Sequence, residues 1–241
     1  MAEISSLIRK TVRVSSSTGD GIPAYLVRPA GRVSAALVLL HSMYGVNELF
    51  RNFCDRYAEC GYVVIAPELF WRIADKGVPD SAEERYEQGH GYISRYDYDL
   101  GMTDIADAVA FVRSKEPTVT KVGVVGYCLG GSIAFIAAAR TGIDAAVCYY
   151  PIYVERHLHC LETLRAPTVI HLGTKDKYAP PEIFAILERQ CAAHPQVEFY
   201  AYPGAIHGFA NAMDPRRYDE ASTRLADRRT HAALRRHLAT A

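Results

Sequence analysis

Residues 121–135, KVGVVGYCLGGSIAF, constrain the fold of this chain more than any other stretch. A β-branched apolar run meets a cysteine flanked by glycines and passes directly into a run of small and apolar residues. That is a strand turning sharply into a helix. A turn this tight strains the residue at its tip and brings backbone close to neighbouring atoms. Positions two before and two after the tip, Gly126 and Gly130, must then be nearly free of side-chain atoms. Gly131 extends the clearance. The tip side chain, Cys128, is expected to point off the strand end at the N-terminus of the helix, where unpaired N–H groups and the helix dipole favour an anion.

Along the rest of the chain, short apolar runs alternate with amphipathic stretches. Apolar runs at SAALVLLH, GYVVIAPE, KVGVVGY, DAAVCYY and PTVIHLG are continuous enough to be strands buried on both faces. TVRVS and PAYLV alternate, which suggests an antiparallel edge with one wet face, and VEFYAYP is the last candidate strand. Helical periodicity and breakers place helices at 47–60, 98–115, 130–141, 181–193 and 215–238. The expected fold class is α/β: a mostly parallel central sheet of about eight strands with helices on both faces. At 241 residues the chain suits one domain, with no repeat or linker. The segment 71–98 is the least regular, rich in charge, aromatics and glycine, and is expected to form a lid or pocket wall.

Composition excludes several classes. The formal net charge is zero, so there is no basic excess to neutralise phosphates, and nucleic acid is not an expected partner. No apolar run is long enough to span a bilayer and the start lacks the apolar centre of a signal peptide, so a cytoplasmic protein without a membrane partner is expected. The six cysteines have no paired spacing and are expected to be mostly free and buried. His157, His159 and Cys160 lie close together but lack a second ligand cluster, so no metal is expected.

G-Y-C-L-G has the form of a nucleophile elbow, with cysteine where the G-x-S-x-G pattern has serine. No lysine follows as a phosphate loop would need, and the spacing fails a dinucleotide fingerprint. A thiol nucleophile needs a base, and the base an orienting acid, following in that order after later strands. Asp176 lies in TKDKYAPPE after one strand, and His207 in AIHGFA after the next. Singly, Cys128 could pack a turn, Asp176 could start a helix and His207 could sit on the surface. Together they point to Cys128, Asp176 and His207 as a catalytic set. His171, inside an apolar strand, reads as a satisfied core residue, and His41 ends a strand where it could line a pocket.

These motifs resemble the dienelactone hydrolase family, α/β-hydrolase enzymes with a cysteine nucleophile. The likeness is carried by HSMYGVNELFRNFCDRYAECGYVVIAPELF, KVGVVGYCLGGSIAF, GTKDKYAPPE and GAIHGFA. It implies a lactone or ester hydrolase working through a thioester, with Cys128, His207 and Asp176 as the triad. It also implies an oxyanion hole from the backbone N–H groups of Leu129 and Met43, and it requires no cofactor. The expected partner is a small ester or lactone. Family members usually read QEIFGVN, with a glutamate that holds the resting cysteine, where this chain has Ser42, Met43 and Tyr44. An arginine that grips the substrate carboxylate corresponds to Asn211, while Arg85 is the counterpart of the other family arginine. Tyr44, Trp71, Tyr178 and Phe209 could favour a more apolar ester; Ser42, Tyr44, Trp71, Arg85 and Phe209 are the candidate substrate-binding residues. Two other functions stay open: a ligand-binding or redox-sensing protein on the same fold, and a promiscuous aryl esterase or phosphotriesterase.

Overall fold

The computed structural model describes residues 6–74 and 81–239. Its architecture is α/β, with an eight-stranded, mostly parallel sheet and helices against its faces. The chain divides into two compact units, one running to Val122 and the other from Gly123 to Ala239.

The first unit contains β1 (Leu7–Val14), β2 (Ile22–Pro29), β3 (Ala35–Leu40) and β4 (Val63–Pro67), in the order β1-β2-β4-β3. Pairing is antiparallel from β1 through β2 to β4, and parallel between β4 and β3. This matches the edge expected from the first two strands. Only β1 has the wet face, however: β2 is buried along nearly its whole length, because α1 (Glu48–Glu59) packs against it. Asn47 caps α1 by accepting the Phe50 N–H. Two further helices follow, α2 (Ala82–Arg95) and α3 (Tyr98–Lys115), and α3 packs on β3 and β4.

The structure places α2 within the segment 71–98, where a lid or pocket wall was expected; residues 75–80 of that segment lie outside the described residues. Its start is fixed by a capping box in which Ser81 accepts the Glu84 N–H and Glu84 accepts the Ser81 N–H. Gly89 and Gly91 obscure the helical pattern in the sequence. Gly89 leaves room for the Met43 backbone, since a Cβ there would lie 3.0 Å from the Met43 carbonyl oxygen.

The second unit contains β5 (Lys121–Tyr127, whose last residues fall here), β6 (Ala145–Tyr149), β7 (Thr168–Gly173) and β8 (Val197–Tyr202), all parallel in the order β5-β6-β7-β8. The connections are α4 (Leu129–Arg140), a 3₁₀ segment over Val154–Thr163, and α5 (Pro181–Ala192). The last helix, α6 (Glu220–Leu238), packs against β6 and β7. It starts at 220 rather than the expected 215, because Asp219 supplies the cap by accepting the Ser222 N–H. Register lines up Tyr127, Tyr149, His171 and Tyr200 as one cross-strand row of rings. Burial is complete along β6 and β7. All the cysteines are free, and only Cys60 is exposed.

Candidate active site

Cys128 stands where β5 ends and α4 begins, with φ 60° and ψ −117°. That backbone conformation is strained for a side-chain-bearing residue. Gly126 makes it sterically feasible: a Cβ there would lie 1.9 Å from the Gly130 carbonyl oxygen. Gly131 is constrained too, less severely, since its Cβ would meet the Tyr149 carbonyl at 2.9 Å. The Cys128 N–H donates to that same Tyr149 carbonyl at 3.0 Å, which ties the turn to the end of β6. Leu129, the predicted oxyanion donor, opens α4 and is fully buried. N–H groups of a first helical turn lack intrahelical acceptors and favour negative charge nearby.

Asp176 follows β7 and His207 follows β8, so both lie past strand ends in the second unit, like Cys128. Nδ1–H of His207 donates to Asp176 Oδ2 at 2.9 Å, and Asp176 Oδ1 accepts the Tyr178 N–H at 2.9 Å. Asp176 is 2% exposed and His207 8%. Burial opposes charge on His207. The neighbouring Cys128 sulfur and the Asp176 carboxylate outweigh it and raise the imidazole to about 9. The His207 ring is flanked edge-on by Tyr178, at 4.6 Å between centroids, and by Tyr150, at 5.2 Å. Tyr150 has φ 37°, a second strained residue at a strand end.

The other candidates are dispersed. Phe209 is fully buried, packed 5.3 Å from Tyr150 and 5.0 Å from Tyr202, so it backs the histidine loop. Asn211 is occupied in its own turn, where its side chain accepts the Met213 N–H. In the first unit, Met43, Tyr44 and Arg85 line a cavity of about 640 Å³ that also reaches Glu68, Phe70 and Tyr92. Arg85 and Tyr92 reach it from one face of α2. Ser42 precedes this lining, and its carbonyl lies 2.5 Å from His41 Nδ1. Trp71 is engaged elsewhere: its indole N–H donates to the buried Asp104 at 2.9 Å, and Arg72 stacks on its ring at 4.0 Å.

Two residues of consequence escaped the sequence reading. Tyr150 looks like the end of an apolar strand, and nothing local marks its contact with His207. Glu68 ends the motif APE just past β4, and a carboxylate at a strand end was the available signal. Its Oε1 lies 2.7 Å from Nε2 of the fully buried His41, and its Oε2 accepts the Val46 N–H. Burial works against its charge, but His41 and the N–H groups of Val46 and Phe70 hold the carboxyl down to about 2. Gly45, at φ 69°, leaves room for this approach, since a Cβ there would be 3.2 Å from the carboxylate. Among the described residues, no group of His, Cys, Asp and Glu has the makings of a metal site, and no helix is long and apolar enough to cross a membrane.

Carboxymethylenebutenolidase 1 of Cupriavidus pinatubonensis is 30% identical over 224 residues, covering 91% of this chain and 93% of its own. The carboxymethylenebutenolidase of Pseudomonas putida is 29% identical over 205 residues, 85% of this chain and 87% of its own. Among solved structures, a Klebsiella pneumoniae protein described as a dienelactone hydrolase on assignment alone shares the fold with a TM-score of 0.84 at 24% identity, over 95% of this chain and 98% of its own. The model of the dienelactone hydrolase family matches residues 22–238. With the match running from β2 to the end of α6, the chain belongs to the dienelactone hydrolase family.

Proposed function

We propose that the chain hydrolyses a lactone or carboxylic ester through a thioester on Cys128. Family membership supports the hydrolase class. The observation that carries the finer reading is the buried His207, bonded to Asp176 on one side and adjoining the Cys128 sulfur on the other.

In this reading a proton held on His207 leaves Cys128 as thiolate, a standing ion pair that needs no family glutamate to create it. Sulfur attacks the carbonyl carbon, and the carbonyl electrons move onto oxygen. That oxyanion is received by the backbone N–H of Leu129; one such donor is worth roughly 3–4 kcal/mol of barrier. Collapse expels the alkoxide, which takes the proton from His207 and leaves the acyl group as a thioester. The neutral imidazole then removes a proton from water as its oxygen adds to the thioester carbon. Loss of the thiolate releases the acid and restores the pair. Asp176 holds the Nδ1–H tautomer throughout, so that Nε2 is the nitrogen that gives and takes the proton.

The absence of an arginine at Asn211 removes a planar cation suited to carboxylates, so uncharged esters are the favoured class. A hydrolysis panel of dienelactone, uncharged aryl and alkyl esters and an aryl phosphotriester, run with native protein and Cys128→Ala, tests this. The expected result is turnover of uncharged esters that falls by about 10³-fold or more in the variant. Mass spectrometry during turnover of an activated ester should show Cys128 carrying the acyl group; an unmodified cysteine throughout would reject the covalent step.

A further inference from the structure

The second unit holds a buried chain of polar groups that the proposed reaction does not use. Arg229 Nη1 lies 3.2 Å from Tyr202 Oη, which is 2.8 Å from His171 Nδ1. His171 Nε2 is 2.9 Å from Thr230 Oγ1, and Thr230 Oγ1 is 2.8 Å from Tyr149 Oη. Tyr149 Oη then reaches Asp227 Oδ1 at 3.0 Å.

The chemistry of its ends fixes the direction of every bond. A guanidinium can only donate, so Tyr202 accepts from Arg229. His171 is wholly buried, and desolvation followed by the Arg229 charge pushes it down to about 3, so it carries one proton. Thr230 has one hydrogen and gives it to Tyr149, so the His171 proton sits on Nε2 and is donated to Thr230, leaving Nδ1 to accept from Tyr202. At the other end a carboxylate can only accept, so Tyr149 gives its hydrogen to Asp227, and Thr230 gives its own to Tyr149. Between the ends, Tyr202, His171, Thr230 and Tyr149 each accept one of these bonds and donate one, and both ends lie on α6.

This chain meets the candidate site at three points. The Tyr149 carbonyl accepts the Cys128 N–H, and the Tyr149 ring stacks on Tyr127, the residue before the nucleophile, at 4.7 Å. The His171 carbonyl accepts the Tyr150 N–H at 2.7 Å, and the Tyr150 ring borders His207. The Tyr202 ring supports Phe209, two residues beyond His207. The end of β6 is therefore held on one side by α6 and carries both the turn of Cys128 and the wall of His207.

We propose that His171, Thr230 and Tyr149 are positioning residues, whose one-way hydrogen-bond chain to Asp227 sets the distance between the Cys128 sulfur and the His207 imidazole. The proposal rests on the reading of Cys128 and His207 as a reacting pair. Its test is the rate of Cys128 alkylation by iodoacetamide against pH in the full chain, which needs no ester turnover. Tyr149→Phe and Thr230→Val should each slow alkylation at pH 7 by about 10-fold or more and move the profile toward that of an ordinary thiol. Thr230→Ser, which keeps the hydroxyl, should restore both.

A profile unchanged in Tyr149→Phe and Thr230→Val, at lowered melting temperature, would reduce the chain to a structural tie and overturn the proposal. Nitrogen-15 NMR of native protein adds a measurement free of folding defects: His171 should be neutral with its proton on Nε2, and a proton on Nδ1 would overturn it. An ordinary thiol profile in native protein would instead count against the reacting pair. A native protein that keeps the shifted alkylation profile but turns over no ester would count against the hydrolytic reading alone.

Discussion

At the scale of the residue, the decisive relation is between one sulfur and one imidazole. His207 is raised to about 9 because the Cys128 sulfur and the Asp176 carboxylate overcome the opposing effect of burial. Its proton is thus retained through neutral pH and lost as pH rises through about 9. The alkylation of native Cys128 should accordingly persist at neutral pH, with an inflection near 9 as His207 loses its proton. A profile that titrates only in the range of a free thiol, about 8.5, would show that no pair forms. Cysteine, aspartate and histidine were each legible in the sequence because each follows a strand end marked by glycine or proline. Tyr150 and Glu68 were not. What matters about them is a neighbour 57 and 27 positions away, His207 and His41 respectively, and nothing local names that neighbour.

At the scale of the element, the unit that makes the site is β5, the Cys128 turn and α4. The 1.9 Å separation between a Cβ at position 126 and the Gly130 carbonyl has no flexible side chain to relieve it. Gly126→Ala should destabilise the second unit by about 3 kcal/mol, by pushing α4 off the strand end, and should cut alkylation at Cys128 as well. Denaturant melts monitored alongside the alkylation rate will check this; full stability with native reactivity would contradict the steric account. The sequence specified this element closely, since its constraint lies within a few consecutive residues. It specified α2 poorly. There a capping box at Ser81 and Glu84 starts a helix whose glycines at 89 and 91 disguise its period, and one of those glycines answers to Met43, remote in the chain.

At the scale of the whole molecule, each unit holds a titratable group whose cost or benefit appears as acid sensitivity. His171 is pushed down to about 3 from 6.5, so between those values the unfolded chain binds a proton that the native one excludes, and stability falls as pH drops below 6.5. Glu68 is held at about 2 against 4.5, so its stabilisation is present above 4.5 and is lost as pH falls toward 2. Melting temperature should decline from pH 6.5 and more steeply below 4.5. His171→Gln should flatten the upper part of that limb and Glu68→Gln the lower, and a native melting temperature constant from pH 7 to 4 would contradict both. The sequence by itself determined the α/β class, the antiparallel edge, the strained cysteine turn and the order of acid and histidine, because strand period, glycine clearance and helix entry act over a few neighbouring residues. Only the tertiary structure decided that His171 joins Thr230 and Tyr202, that Tyr149 reaches Asp227, and that Glu68 faces His41. Such pairings are set by sheet register and helix docking, which bring together groups 27 to 78 positions apart that no local pattern relates.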